Sequence, residues 1–103
     1  AKTGGIELSF SDRCLIHLAR ALIMNPEVMV LHKPLVHFDK FHSHRVLNLL
    51  REYVDQRGIE KEPETLHLRR PRTCIYSASV HEGTEIADTV LQVVDHVVNG
   101  KTK

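Results

Sequence analysis

The chain is expected to form an α/β domain with a mainly parallel sheet and flanking helices. Three observations predict it. Two segments carry apolar residues at helical spacing; two short unbroken runs, Val28-Met29-Val30-Leu31 and Thr73-Cys74-Ile75-Tyr76, alternate with them; and Pro, Gly or Asn-Pro punctuates the boundaries. With 103 residues, 42% of them hydrophobic, the chain fits one small domain over residues 1–103 with a modest core.

Ser9 or Ser11 is placed to cap the first helix, and Asp12 adds favourable charge in its first turn. Leu15, Leu18, Ala19, Leu22 and Ile23 recur at helical spacing until Asn25-Pro26 stops the run. The four apolar residues from Val28 suit a strand covered on both faces, ended by Pro34. A second helix is expected from about Lys40 to Gln56, where Val46, Leu49, Leu50, Tyr53 and Val54 share a face, with Gly58 as its stop. Residues 59–72 are polar, carry Pro63, Pro71 and the basic run Arg69-Arg70-Pro71-Arg72, and read as an exposed, insertion-like loop. Thr73–Tyr76 resumes a strand, a short helix is expected around Glu82–Ala87, and Val90–Val94 and Val97-Val98 close the domain as a β-hairpin.

Composition excludes several function classes. Fourteen basic against thirteen acidic side chains leave a net charge of +1, too little for a long-range field toward nucleic acid or an anionic membrane. No apolar run reaches the roughly 18–20 residues of a spanning helix, and residues 1–5 lack the apolar stretch of a signal peptide. Cys14 and Cys74 specify no disulfide framework and read as small apolar packing residues. A cytoplasmic setting is expected, with any membrane association made through a partner.

The segment Leu8-Ser9-Phe10-Ser11-Asp12-Arg13, continuing through Leu18-Ala19-Arg20-Ala21-Leu22 to Asn25-Pro26, resembles the signature helix of ATP-binding-cassette (ABC) ATPases, LSGGQ followed by ARAL and NP. Downstream, Val28–Leu31 with His32-Lys33-Pro34 looks like that family's Walker B strand, and Asp39 takes the place of its D-loop aspartate. Thr73 to Ser79 resembles the strand leading to the switch histidine, and Ile86-Ala87-Asp88 the following ADR segment. The resemblance covers about residues 4 to 100 and corresponds to the C-terminal part of an ABC nucleotide-binding domain.

The departures fall on the chemistry that the resemblance implies. The family holds Mg²⁺ with the Walker B aspartate and activates water with the next glutamate; here those positions are His32 and Lys33. Imidazole is a poor ligand for a hard cation, and a protonated lysine accepts no proton from water. The signature glycines become Phe10 and Ser11, and a phenylalanine obstructs close approach of a phosphate to the helix start. Ser79 stands at the switch position, with His81 two residues later as the alternative, and no G-x-x-x-x-G-K-[ST] loop occurs.

The resulting expectation is a non-catalytic ABC-type segment that scaffolds or regulates through protein contacts, with no cofactor and no metal of its own. Its expected partners are another nucleotide-binding domain or a membrane transporter subunit. The alternative is an ATPase half-site that uses ATP and Mg²⁺ only when a partner supplies the phosphate loop. A third reading is a metal module on His32, His37, His42 and His44, although no His-x-x-x-His or Cys-x-x-Cys spacing supports it. Asp39 has a plain structural reading as a helix cap. Lacking a neighbour for its strands, the chain is also expected to self-associate or to be a piece of a larger polypeptide.

Overall fold

The computed structural model describes residues 2–3, 6–78, 83–94 and 97–102. Two-residue strands β1 (Lys2–Thr3) and β2 (Ile6–Glu7) form a small antiparallel ladder that the sequence does not announce. Ser9 then starts α1 (Phe10–Met24): its hydroxyl accepts the Asp12 N–H at 3.1 Å, and its own N–H donates to the Asp12 carboxylate at 3.4 Å. This reciprocal capping box satisfies two donors that the helix start leaves unpaired. Leu18 and Leu22 are buried, but Ala19 and Ile23, expected on the same face, lie exposed. The apolar stripe of α1 is therefore narrower than its periodicity implies.

Asn25 ends α1 in the left-handed region at φ 50°. Its amide nitrogen donates to the Arg57 carbonyl at 3.4 Å, and its Oδ1 accepts from Arg72 Nε at 3.0 Å. One side chain thus stops a helix and links two distant turns. Next, β3 (Val28–Leu31) pairs in parallel with β4 (Thr73–Tyr76), in the register Val28↔Thr73 to Leu31↔Tyr76. Met29 is buried, whereas Val28, Val30 and Ile75 are 58%, 71% and 56% exposed. The expectation of a strand covered on both faces is overturned, because the helices pack on one side and no described element covers the other.

α2 (Lys40–Asp55) is capped by Asp39, whose carboxylate accepts both the His42 N–H at 2.8 Å and a contact with His42 Nδ1 at 2.9 Å. The backbone hydrogen bond, then the ring contact, hold the Asp39 carboxyl below its ordinary value of 3.8. A lowered folded pKa means the cap contributes fully above that value and is lost as pH falls through the folded value. Acid titration below the ordinary aspartate range should fray the start of α2, seen as loss of amide protection at Phe41 to Ser43. The Asp39→Ala variant should show that fraying already at neutral pH, with no further acid step in this turn.

Val46, Leu47, Leu50 and Tyr53 form the buried face of α2 and, with Leu18, Leu22, Met29 and Leu35, make the core. Leu49 and Val54, expected there, only flank it, and Leu47 takes the inner position. Tyr53 is fully buried, and its hydroxyl donates to the Pro26 carbonyl, tying α2 to the turn before β3. The helix ends with the Gly58 N–H on the Tyr53 carbonyl at 3.0 Å, and both Arg57, at φ 55°, and Gly58, at φ 144°, have positive φ there.

Residues 59–72 are not a plain loop. A 3₁₀ helix spans Pro63–Leu68. Arg57 donates to the Arg69 carbonyl at 2.7 Å, and Arg69 donates to the carbonyls of Gln56 and Glu62 and to Thr65 Oγ1. Two of the three arginines read as solvated, Arg69 and Arg72, are thus half-buried clamps on backbone carbonyls and Asn25; Arg70 alone stays exposed, 3.4 Å from Glu27. The short helix expected around Glu82–Ala87 is instead a turn over its described part, residues 83–86. The Tyr76 hydroxyl donates to the Gly83 carbonyl at 2.7 Å, and Arg51 bridges Asp55, Asp88 and the Ile86 carbonyl, so the turn is held from both sides. The closing strands β5 (Thr89–Val94) and β6 (Val97–Thr102) form the expected antiparallel hairpin.

Candidate functional site

The start of α1 and the loop after β3 lie side by side. Ser11 Oγ donates to the His37 carbonyl at 2.8 Å, and the Phe10 ring meets the His37 ring edge to face, centroids 4.2 Å apart. Arg13 sits over Phe10 at 5.9 Å. Of the signature-like residues Leu8, Ser9, Phe10, Ser11 and Asp12, four are committed: Ser9 and Asp12 to each other, Ser11 and Phe10 to the loop; Leu8 is half-buried before the helix. No glycine-like approach to the helix start remains open beside the Phe10 ring.

At the end of β3 the chain turns sharply. Lys33 adopts φ 45°, a left-handed conformation that costs a lysine on the order of 1–3 kcal/mol and persists only when its surroundings enforce it. Ser77 enforces it: its Oγ accepts the Lys33 N–H at 2.9 Å, while its own N–H extends the ladder to the Leu31 carbonyl at 3.1 Å. The same Oγ lies 3.4 Å from His32 Nδ1. Ser77 lies in the segment that resembles the strand before the switch position, but its role at Lys33 had no signal beyond its place one residue past β4. The Lys33 ammonium itself makes no ion pair or hydrogen bond among the described residues. Ser79 and His81, the two candidates for the switch position, lie outside the described residues.

Between α1 and this loop runs an open cleft of about 530 Å³. Leu18, Ala21, Leu31 and Phe38 line its floor, and His17, His32, Lys33 and His37 its polar edge; no carboxylate among the described residues lines it. Asp39 is turned to its own helix start. Magnesium takes hard oxygen donors, and no carboxylate lines the cleft among the described residues, so these residues do not fit a magnesium ion. The histidines are dispersed as well. His32 contacts Ser77, His37 contacts Phe10 and His42 contacts Asp39, while His44 is exposed on α2. No three potential metal ligands converge among the described residues. Cys14 and Cys74 are both half-buried, and burial raises the Cys74 thiol above its ordinary value, away from reactivity.

The α/β core, the parallel β3–β4 pair and a capped helix start beside the end of β3 define a small α/β protein. No protein-family model matches the chain. It is 32% identical over 95 residues, 92% of its length, to ABC transporter I family member 17 of Arabidopsis thaliana. The similarity is distant, and it relates the chain to the ABC transporter ATPases. The chain spans about a third (32%) of that relative's length.

Proposed function

We propose that this chain is a non-catalytic ABC-type segment that acts through protein contacts, as a scaffold or regulator. One observation carries the reading. Where the resemblance places two carboxylates, the chain has His32 and Lys33, and among the described residues the Lys33 ammonium has no ion-pair partner and no acid lines the cleft beside it. Inverted charge at that point removes both the metal ligand and the base, the two groups on which phosphoryl transfer to water depends. Its partners are another nucleotide-binding domain or a transporter subunit, and the bare β3–β4 face favours a second copy of itself. No described helix is long and apolar enough to cross a membrane.

The half-site alternative requires Ser9 and Asp39 to reach a partner's nucleotide, and both carboxylate and hydroxyl are occupied in caps. An equilibrium titration with a fluorescent ATP analogue, with and without Mg²⁺, tests the reading. No saturable binding is expected in either condition. Saturable, Mg²⁺-dependent binding by the chain alone would overturn it. Binding that appears only when a complete nucleotide-binding domain is added would transfer the assignment to the half-site.

A further inference from the structure

The cleft beside α1 has a chemistry that the scaffold reading does not use. Its floor is apolar, built from Leu18, Ala21, Leu31 and Phe38, and among the described residues its one charged lining group is the Lys33 ammonium. That ammonium has no partner among the described residues, and neither does the side chain of His17 on the α1 wall. Both walls are tied before any ligand arrives. Ser11 Oγ and the Phe10–His37 contact fix the loop to the helix, and Ser77 fixes Lys33 in its left-handed turn. Preset walls reduce the ordering cost of binding. A volume of about 530 Å³ matches a small organic ligand.

We propose that this cleft is a metal-independent binding site for a small amphipathic anion of the alkyl carboxylate class. The carboxylate pairs with Lys33 and the imidazole-lined edge, and the alkyl chain lies along the Leu18–Leu31 floor. Charge complementarity selects the anion: with no acid in the lining among the described residues, a cation of the same shape meets the like charge of Lys33. A second cleft supplies an internal comparison. It holds about 410 Å³ between α1 and the end of α2 and is also apolar, but Glu60 stands beside Lys61 there, which cancels the preference.

The test is titration of the whole chain with laurate below its micellar concentration, in EDTA, read by calorimetry and by methyl NMR. Saturable one-to-one binding is expected, with shifts centred on Ala21 and Leu31 and not on Ile23 and Ile59. Dodecyltrimethylammonium should not compete. Lys33→Asn removes the charge while suiting the left-handed backbone, so the variant should fold as well as the parent, confirmed by circular dichroism, and bind laurate about tenfold more weakly. Laurate affinity unchanged in Lys33→Asn, equal binding of the cationic detergent, or shifts centred on the second cleft would each overturn the proposal. Because nucleotide enters none of these readouts, failure here leaves the scaffold reading standing, and the reverse also holds.

Discussion

Replacing Tyr53 with alanine is expected to abolish cooperative folding. The ring is 0% exposed at the centre of the core, and its hydroxyl donates to the Pro26 carbonyl between α1 and β3. Truncating a buried aromatic to alanine costs about 3–5 kcal/mol. The carbonyl left without its donor adds about 1–3 kcal/mol. Domains of this size have about 5–15 kcal/mol in total, and a chain with a two-stranded central sheet and a bare face belongs at the lower end. The loss is therefore as large as the whole stability. Burial also raises the phenol above its ordinary value, so the group stays a donor across the neutral range. Thermal melts by far-ultraviolet circular dichroism check the point: Tyr53→Ala should show no transition, while Tyr53→Phe should melt cooperatively a few degrees below the parent. A cooperative Tyr53→Ala melt close to the parent would place the stabilising contacts elsewhere.

What could be read from the chain depended on the range of the interaction. Helix position follows from local periodicity and caps, and Leu18, Leu22, Val46, Leu50 and Tyr53 lie inward where that periodicity puts them. Asp39 caps α2 as its short acidic side chain suggested. Strand burial is a different matter. An apolar run shows that Val28 and Val30 tolerate cover, but cover is supplied by other elements, and here it reaches only Met29's side of the sheet. The 3₁₀ helix was hidden for a related reason. Its polar sequence buries nothing, and it is held by Arg57 and Arg69 reaching backbone carbonyls 9–13 residues away. In the candidate site, residue identities at His32, Lys33 and Phe10 were legible. The contacts that shape the cleft were not. Ser11 meets His37 across 26 positions and Ser77 meets Lys33 across 44, and neither pair has a periodic or motif signature.

Changing Val30 to lysine is expected to convert a self-associating chain into a monomer. In the parallel register, Val30 pairs with Ile75, and Val28 lies two residues away, so the three exposed side chains form one apolar strip. Neither strand contains a proline or a lysine, the residues that usually protect an open sheet from pairing. A net charge of +1 supplies little repulsion between copies. Each valine or isoleucine fully buried against a second copy contributes about 1.5–3 kcal/mol, whereas an ammonium at Val30 must be desolvated or must keep the surfaces apart. Position 30 faces solvent in the isolated chain, so the substitution should leave the melting transition almost unchanged. Sedimentation velocity over a wide concentration range should show a concentration-dependent coefficient for the parent and a constant, monomeric one for Val30→Lys. If the parent is monomeric throughout, the strip belongs to no second copy, and the search moves to a nucleotide-binding domain or transporter subunit that covers it instead.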